Sequence, residues 1–574
     1  MTGWRTIAAK KKAQQRALIP KEWTLKQADI PQKAETDVSR IPETCGLLNE
    51  RELQITNSDV TELLQKLATG EWSSLSVTTA FYKRAIIAHQ LTNCLTEIFI
   101  ERALARASEL DTILQRTGAV VGPLHGLHVS LKDQINVKGL ESCMGYVSWV
   151  GNFAHSNSVL TDILENAGAV IFVKTNIPQT LMWTETYNHV FGRTSNPYNR
   201  SLTSGGSSGG EGALIAMRGS PLGVGSDIGG SIRIPAAFCG TYGLRPSYGR
   251  VPYAGCVNSL EGQDSVPSVL GPFSNSLAGI KTFMKTVIDA QPWLKDPLAV
   301  RKRWSDDEYN LADHGNGENL CFAIMWDDGI IVPHPPIIRG LEMVKKALLD
   351  AGHKVIDWKP SKHAEMHKCL GDIWAAGAAD DYSAVTALVG EPVIPSMSLE
   401  SEIPVVDIID NLDRVITPSV SAYQLWQMHK KKRILREEYL QLWENTVRMT
   451  GTGRAVDAII APAAPYTASP NLANPICVLH VNIDMTGQYT MVWNVLDYST
   501  LVIPVSKVDS SIDLAKAPHV FYNEDDKTNY DIYNPVHFAN APITVQLVGR
   551  TLEEEAVIAM GEIVDTALKG VKVA

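Results

Sequence analysis

No C-x-x-C pair occurs in this chain of 574 residues, whose eight cysteines are scattered at positions 45, 94, 143, 239, 256, 321, 369 and 477. That spacing offers neither a zinc site nor a compact disulfide framework, and it fits a reducing, cytoplasmic setting. No run of 18 apolar residues is available to cross a bilayer, so no transmembrane segment is expected. Positive charge is in short supply too. With 52 Lys and Arg against 62 Asp and Glu the net charge is −10, which argues against a nucleic-acid footprint. Neither a Gly-Lys-[Ser/Thr] phosphate loop nor a G-x-G-x-x-G between strand and helix occurs, and H-E-x-x-H is absent, so no cofactor and no metal are expected. No low-complexity linker divides the chain. One large domain with insertions is the reading, long enough to bury a large core.

Glycine is plentiful, and two clusters of it stand out. Gly205-Gly206-Ser207-Ser208-Gly209-Gly210 comes first, and Ser226-Asp227-Ile228-Gly229-Gly230-Ser231-Ile232-Arg233 follows. Glycine removes the Cβ clash, so successive backbone N–H groups can converge on one point. Convergent donors with a hydroxyl beside them suit acyl transfer, because the attacked carbonyl oxygen becomes an anion in the transition state. Gly/Ser runs also occur as plain flexible loops. Here residues 211–218 read as a helix directly after the first cluster, and 221–225 as a short strand before the second, a bracing that linkers lack. The pattern points to a serine hydrolase.

Residues 205–209 also match the G-x-S-x-G nucleophile elbow of α/β-hydrolases, but that turn needs an apolar strand just upstream. Residues 196–204 are polar and contain proline, so the match reads as accidental. A base for the serine is sought in Gly126-Leu-His-Val-Ser-Leu-Lys-Asp133. There Leu127, Val129 and Leu131 alternate with His128, Ser130 and Lys132 in the period of a strand. A lysine at such a strand end is ordinarily a solvated surface group. His125 and His128 are the other local candidates.

These residues together resemble the amidase signature family. Its members carry a lysine in a G-[ILV]-P-[ILV]-[SA]-[ILV]-K-D strand, a glycine/serine run like 205–210, and a nucleophile in a segment like Asp227-Ile-Gly-Gly-Ser231-Ile-Arg233-x-Pro235. The order agrees, and so do the spacings of 75 residues from Lys132 to Ser207 and 24 from Ser207 to Ser231. Further landmarks at 167–176, 191–197, 242–246 and 541–549 extend the similarity over roughly 45–568. Segments 121–126, 144–149 and 333–336 read like those of fungal acetamidases. One departure is His128, which stands where the family usually has proline.

The resemblance implies an α/β fold: a single domain with a mixed, largely parallel sheet covered by helices on both faces. That sheet is also what the alternation of short apolar strands with helices suggests. By the same resemblance Ser231 is the nucleophile, Ser207 relays its proton to neutral Lys132, and the backbone N–H groups of Ile228, Gly229, Gly230 and Ser231 form an oxyanion hole. A cis peptide is implied between Gly206 and Ser207, with Ser208, Asp227 and Arg233 as braces. Leu181, Met182 and Trp183 follow a segment that lines the acyl pocket in related enzymes. The substrate implied is a small-molecule amide, handled in the manner of an acetamidase. A tailoring amidase of larger metabolites, an indole-3-acetamide hydrolase and a non-catalytic binding homologue are the alternatives, and a homodimer is common in the family.

The coarse organisation follows. Residues 1–44 are read as an N-terminal helical extension and 45–568 as the catalytic domain, with core motifs at 120–260, a smaller lobe at roughly 320–450 and a surface insertion at roughly 506–534. Residues 1–16 are basic and acid-free without an apolar stretch, which fits a surface helix better than a targeting peptide. Helices are expected at 59–67, 158–166 and 337–349, strands at 170–173, 321–325 and 355–358, and a loop at 306–319.

Overall fold

Eleven short strands make up the sheet of the computed structural model, which describes residues 3–32, 35–394, 419–471 and 487–572. Cys477, residues 395–418 of the expected smaller lobe and the ends of the chain lie outside the described residues. The strands are β1 (Leu95–Ile98), β2 (His128–Lys132), β3 (Val170–Thr175), β4 (Leu222–Asp227), β5 (Tyr242–Arg245), β6 (Val269–Ser274), β7 (Cys321–Ile324), β8 (Lys354–Asp357), β9 (Ala458–Ala461), β10 (Thr500–Lys507) and β11 (Pro542–Val548). Their spatial order is β1-β3-β2-β4-β6-β5-β10-β11-β9-β7-β8.

The sheet is mixed, as expected, but its parallel pairs sit towards the two ends. β3-β2-β4 run parallel on one side and β9-β7-β8 on the other, while the pairs from β4 through β6, β5, β10 and β11 to β9 are antiparallel. "Largely parallel" therefore overstates the case. The reason is local. A parallel pair needs a crossover, which a helix supplies at Val159–Asn166 and at Pro335–Asp350. No helix separates β5 from β6, and such consecutive strands fold back antiparallel.

Most strands are buried on both faces. Val129 and Leu131 of β2 are fully buried, as is Leu127 just before it, and so are His128, Ser130 and Lys132 on the opposite face. Helix Gly209–Ala216 covers that second face. Helix Val60–Ala68 forms where periodicity places it, capped by Asp59 and burying Val60, Leu63 and Leu67. At 306–319 the structure corrects the expected loop. Ser305 caps a turn of helix at Asp306–Tyr309 whose three acidic residues suit a helix N-terminus, and a 3-10 segment spans Ala312–Gly317. Within 506–534 the polar residues hold a helix, Glu524–Asp531, capped by Asn523.

The basic N-terminal helix Trp4–Ala17 is built into the body of the protein. Lys11 is buried between Glu97 at 2.5 Å and Glu141 at 3.0 Å, and Gln15 donates to the carbonyls of Leu95 and Thr96 on β1. Removing one partner of a buried ion pair leaves the others uncompensated. We expect Lys11→Ala to lower stability by about 3 kcal/mol, read as a lower urea midpoint. An unchanged midpoint would show that the helix is only loosely attached.

Candidate active site

Lys132 ends β2, between β3 and β4, where no part of its side chain reaches water. Its Nζ lies 2.7 Å from Ser207 Oγ and 2.8 Å from Ser226 Oγ. Burial pulls the amine down to about 7, against the opposing pull of Asp227 and Glu211. The surface role ordinary for such a lysine is thereby excluded.

The hydrogen bonds around Nζ have a fixed direction. Gln134 Nε2 donates to the Val257 carbonyl at 2.9 Å and to Tyr253 Oη at 2.7 Å, so its Oε1 is an acceptor. Ser226 Oγ donates to that oxygen at 2.5 Å. Ser226 therefore accepts from Nζ. In the neutral amine this spends one N–H and leaves the lone pair free to take the Ser207 hydroxyl proton.

The peptide between Gly206 and Ser207 is cis. Gly206 has no alternative: a Cβ there would lie 2.5 Å from the carbonyl oxygen of Trp183 and 2.6 Å from that of Glu185. Ser208, expected as a brace, ties the two clusters together. Its N–H donates to the Ser231 carbonyl at 3.2 Å and its Oγ to the Ser226 carbonyl at 3.3 Å.

Ser231 closes the turn that follows β4, and the turn is organised by Asp227. Asp227 Oδ1 accepts from the Gly230 N–H at 2.9 Å, and Oδ2 accepts from Ile232 at 3.1 Å. Arg233, fully buried, forks onto the same carboxylate at 2.9 and 3.0 Å. Burial alone would raise the Asp227 carboxyl, but the Arg233 pair holds it well below the usual carboxylate range. One expectation changes here. The Gly230 N–H is already committed to Asp227, so it is not a free oxyanion donor. The N–H groups of Ile228, Gly229 and Ser231 make no hydrogen bond among the described residues and stand available.

Leu181 is buried beside Met144, Tyr146 and Ile177, with φ of +64° next to Thr180 at +71°. Met182 and Trp183 pack with Ile228 and Trp374 in a separate cluster. Neither local histidine reaches the serines. His125 accepts from the Val121 N–H, while His128 bonds Thr78 Oγ1 at 2.8 Å between the rings of Phe81 and Phe172. Burial pushes His128 down to about 3, so it fills the proline's usual place as a neutral core residue.

A family model described as Amidase matches residues 76–558. The chain belongs to the amidase family. An acetamidase of Aspergillus oryzae is 43% identical over 98% of this chain and 99% of its own length, and an acetamidase of Emericella nidulans is 42% identical over 99% of both. Among solved structures, a fatty acid amide hydrolase superposes with a TM-score of 0.86 at 32% identity, covering 99% of this chain and 95% of that one. This amidase is thus an amide hydrolase by family.

Sequence reasoning passed over four contributors to the site. Gln134 and Ser226 lie within or beside the motifs, yet their residue types carry no catalytic signature. Thr490 and Asn494 come from helix Gln488–Leu496, more than 250 residues from the turn they hold. Thr490 Oγ1 donates to the Gly229 carbonyl at 2.6 Å, and Asn494 bonds both Asp227 and Arg233. The Arg233 pair generates a direct expectation. Arg233→Met strands the Asp227 charge in the interior and should destabilise the amidase by about 3 to 5 kcal/mol, measured by thermal or denaturant unfolding. A variant as stable as the wild type would contradict the brace.

Proposed function

We propose that the protein is a serine amidohydrolase that cleaves a carboxylic acid amide to the acid and ammonia through an acyl-enzyme at Ser231. The observation that carries this reading is the 2.7 Å contact of Ser207 Oγ with a wholly buried lysine amine. In the first step Ser231 Oγ attacks the amide carbonyl as its proton passes through Ser207 to neutral Lys132. The developing oxyanion is met by the N–H groups of Ile228, Gly229 and Ser231. One such donor is worth about 3 kcal/mol. Collapse breaks the C–N bond, and the leaving nitrogen takes the proton back along the relay as ammonia departs. Water then attacks the ester, and the same relay accepts and returns its proton. No cofactor enters these steps.

For substrate, the acetamidase relatives and the bulk of Leu181, Met182 and Trp183, which follow the segment that lines the acyl pocket in related enzymes, support small aliphatic and aromatic primary amides. A second reading has its own support. The Trp374 indole lies against Gly229 and also lines a neighbouring cleft of about 580 Å³ with Leu260, Asp381 and His429, a candidate seat for the distal part of a larger acyl group. The name of the fatty acid amide hydrolase points the same way. Hydrolysis measured across acetamide, benzamide, phenylacetamide, indole-3-acetamide and long-chain amides separates the two. The seven described cysteines, all unpaired, support a reducing, cytoplasmic setting. A homodimer is proposed on family resemblance alone.

Two outcomes test the chemistry. Ser231→Ala should lower turnover by at least about 10³-fold with an unchanged melting temperature. Retained turnover would remove Ser231 as nucleophile. The profile of kcat/KM against pH should rise along one limb with a midpoint near about 7, because the ammonium form of Lys132 cannot accept the relay proton. Lys132→Ala should abolish that limb, and a profile that survives the substitution would rule lysine out as base.

A further inference from the structure

Close to Lys132 lies a second buried ionisable group that the relay does not use. Glu211 belongs to helix Gly209–Ala216, which begins just past the cis peptide, and it is fully buried. Its two carboxyl oxygens are held separately. Ser130 Oγ donates to Oε2 at 2.6 Å, and Thr175 Oγ1 donates to Oε1 at 2.9 Å. Both partners flank the lysine: Ser130 precedes it by two residues on the same face of β2, and Thr175 is its register partner on β3. β4 makes room for the carboxyl. A Cβ on Gly223 would fall 2.1 Å from Glu211 Oε2. One acidic side chain therefore ties the helix that follows the relay serine to the strands around the lysine. Burying an acid is costly, and an apolar residue of similar size would fill the same space without that penalty.

We propose that Glu211 is a positioning residue for Lys132, a buried carboxyl that locks the helix after Ser207 onto β2 and β3 and whose charge sets how tightly Nζ holds its proton. This rests on the reading of Lys132 as the base. The groups around the pair are few. Lys132 faces Glu211 from the helix and Asp227 from β4, and Asp227 is already paired with Arg233. Ser207 and Ser226 are uncharged. Glu211 also faces Cys94, just before β1, whose thiol burial pushes up to about 12, and His128 further along β2 is neutral against Thr78. Burial raises Glu211 and lowers Lys132, and the charge of each opposes the shift of the other. The sign follows. A carboxylate nearby favours the ammonium, and its removal favours the free amine.

The test compares kcat/KM against pH for the wild type, Lys132→Ala and Glu211→Gln on one good amide substrate, with melting temperatures alongside. Glu211→Gln keeps the shape and can still bond both hydroxyls, but it carries no charge. Its limb should move to lower pH by about half a unit or more, a change that a purely structural role would not produce. Ser130→Ala, which takes one donor from the carboxylate, should move the limb the same way by less, and it stands in if Glu211→Gln does not fold. A limb that depends on Lys132 but stays put in these variants overturns the role of Glu211 and leaves the lysine mechanism intact. A limb that survives Lys132→Ala overturns both.

Discussion

The burial of a single primary amine, Lys132 Nζ, is the constraint on which the rest of the site depends. A lysine in water holds its proton at pH 7 and has no lone pair to offer. Only the dry face of β2, closed by helix Gly209–Ala216, makes the free amine accessible near neutrality. Burial alone would leave the amine without a direction. The chain from Gln134 through Ser226 supplies one, since each donor in it is fixed by the acceptor beyond.

The nucleophile turn solves a different problem, that of keeping backbone N–H groups pointed at one place without spending them. Asp227 consumes the N–H of Gly230 and that of Ile232, and in doing so curls the chain so that those of Ile228, Gly229 and Ser231 are left over. Arg233 makes this arrangement tolerable in the interior by neutralising Asp227, and Asn494 and Thr490 anchor the whole from the far end of the chain. The turn is rigid because two segments far apart in the chain, the turn itself and the helix that carries Asn494, meet on one carboxylate. Gly230 is required there, with φ of +145° and a would-be Cβ 2.3 Å from Thr490 Oγ1.

Much of this was legible in the sequence, and the failures have physical reasons. The period of two placed β2 correctly, and the glycine clusters with their flanking apolar runs placed the helix and β4 that brace the serines. Periodicity could not say whether the polar face of β2 meets water or a helix, so Lys132 looked like a surface residue until motif order argued otherwise. Counting oxyanion donors by residue missed that a side chain could occupy one of them. Thr490 and Asn494 gave no local signal, because a helix side chain that reaches a distant turn looks like any other polar residue. The sheet was read as largely parallel because helix and strand alternate in the flanks, whereas the middle of the sheet, from β4 to β9, is antiparallel, and only β5 and β6 there follow one another without a helix.

The most direct test of the account is the pH dependence of covalent labelling by a serine-reactive fluorophosphonate, with the modified residue located by peptide mass spectrometry. Labelling requires the nucleophile and its base but no particular substrate. The account predicts one adduct per chain, on Ser231, formed at a rate that rises with a midpoint near about 7. An adduct on Ser207, or a rate that rises only towards the range of an exposed lysine near about 10.4, would contradict it.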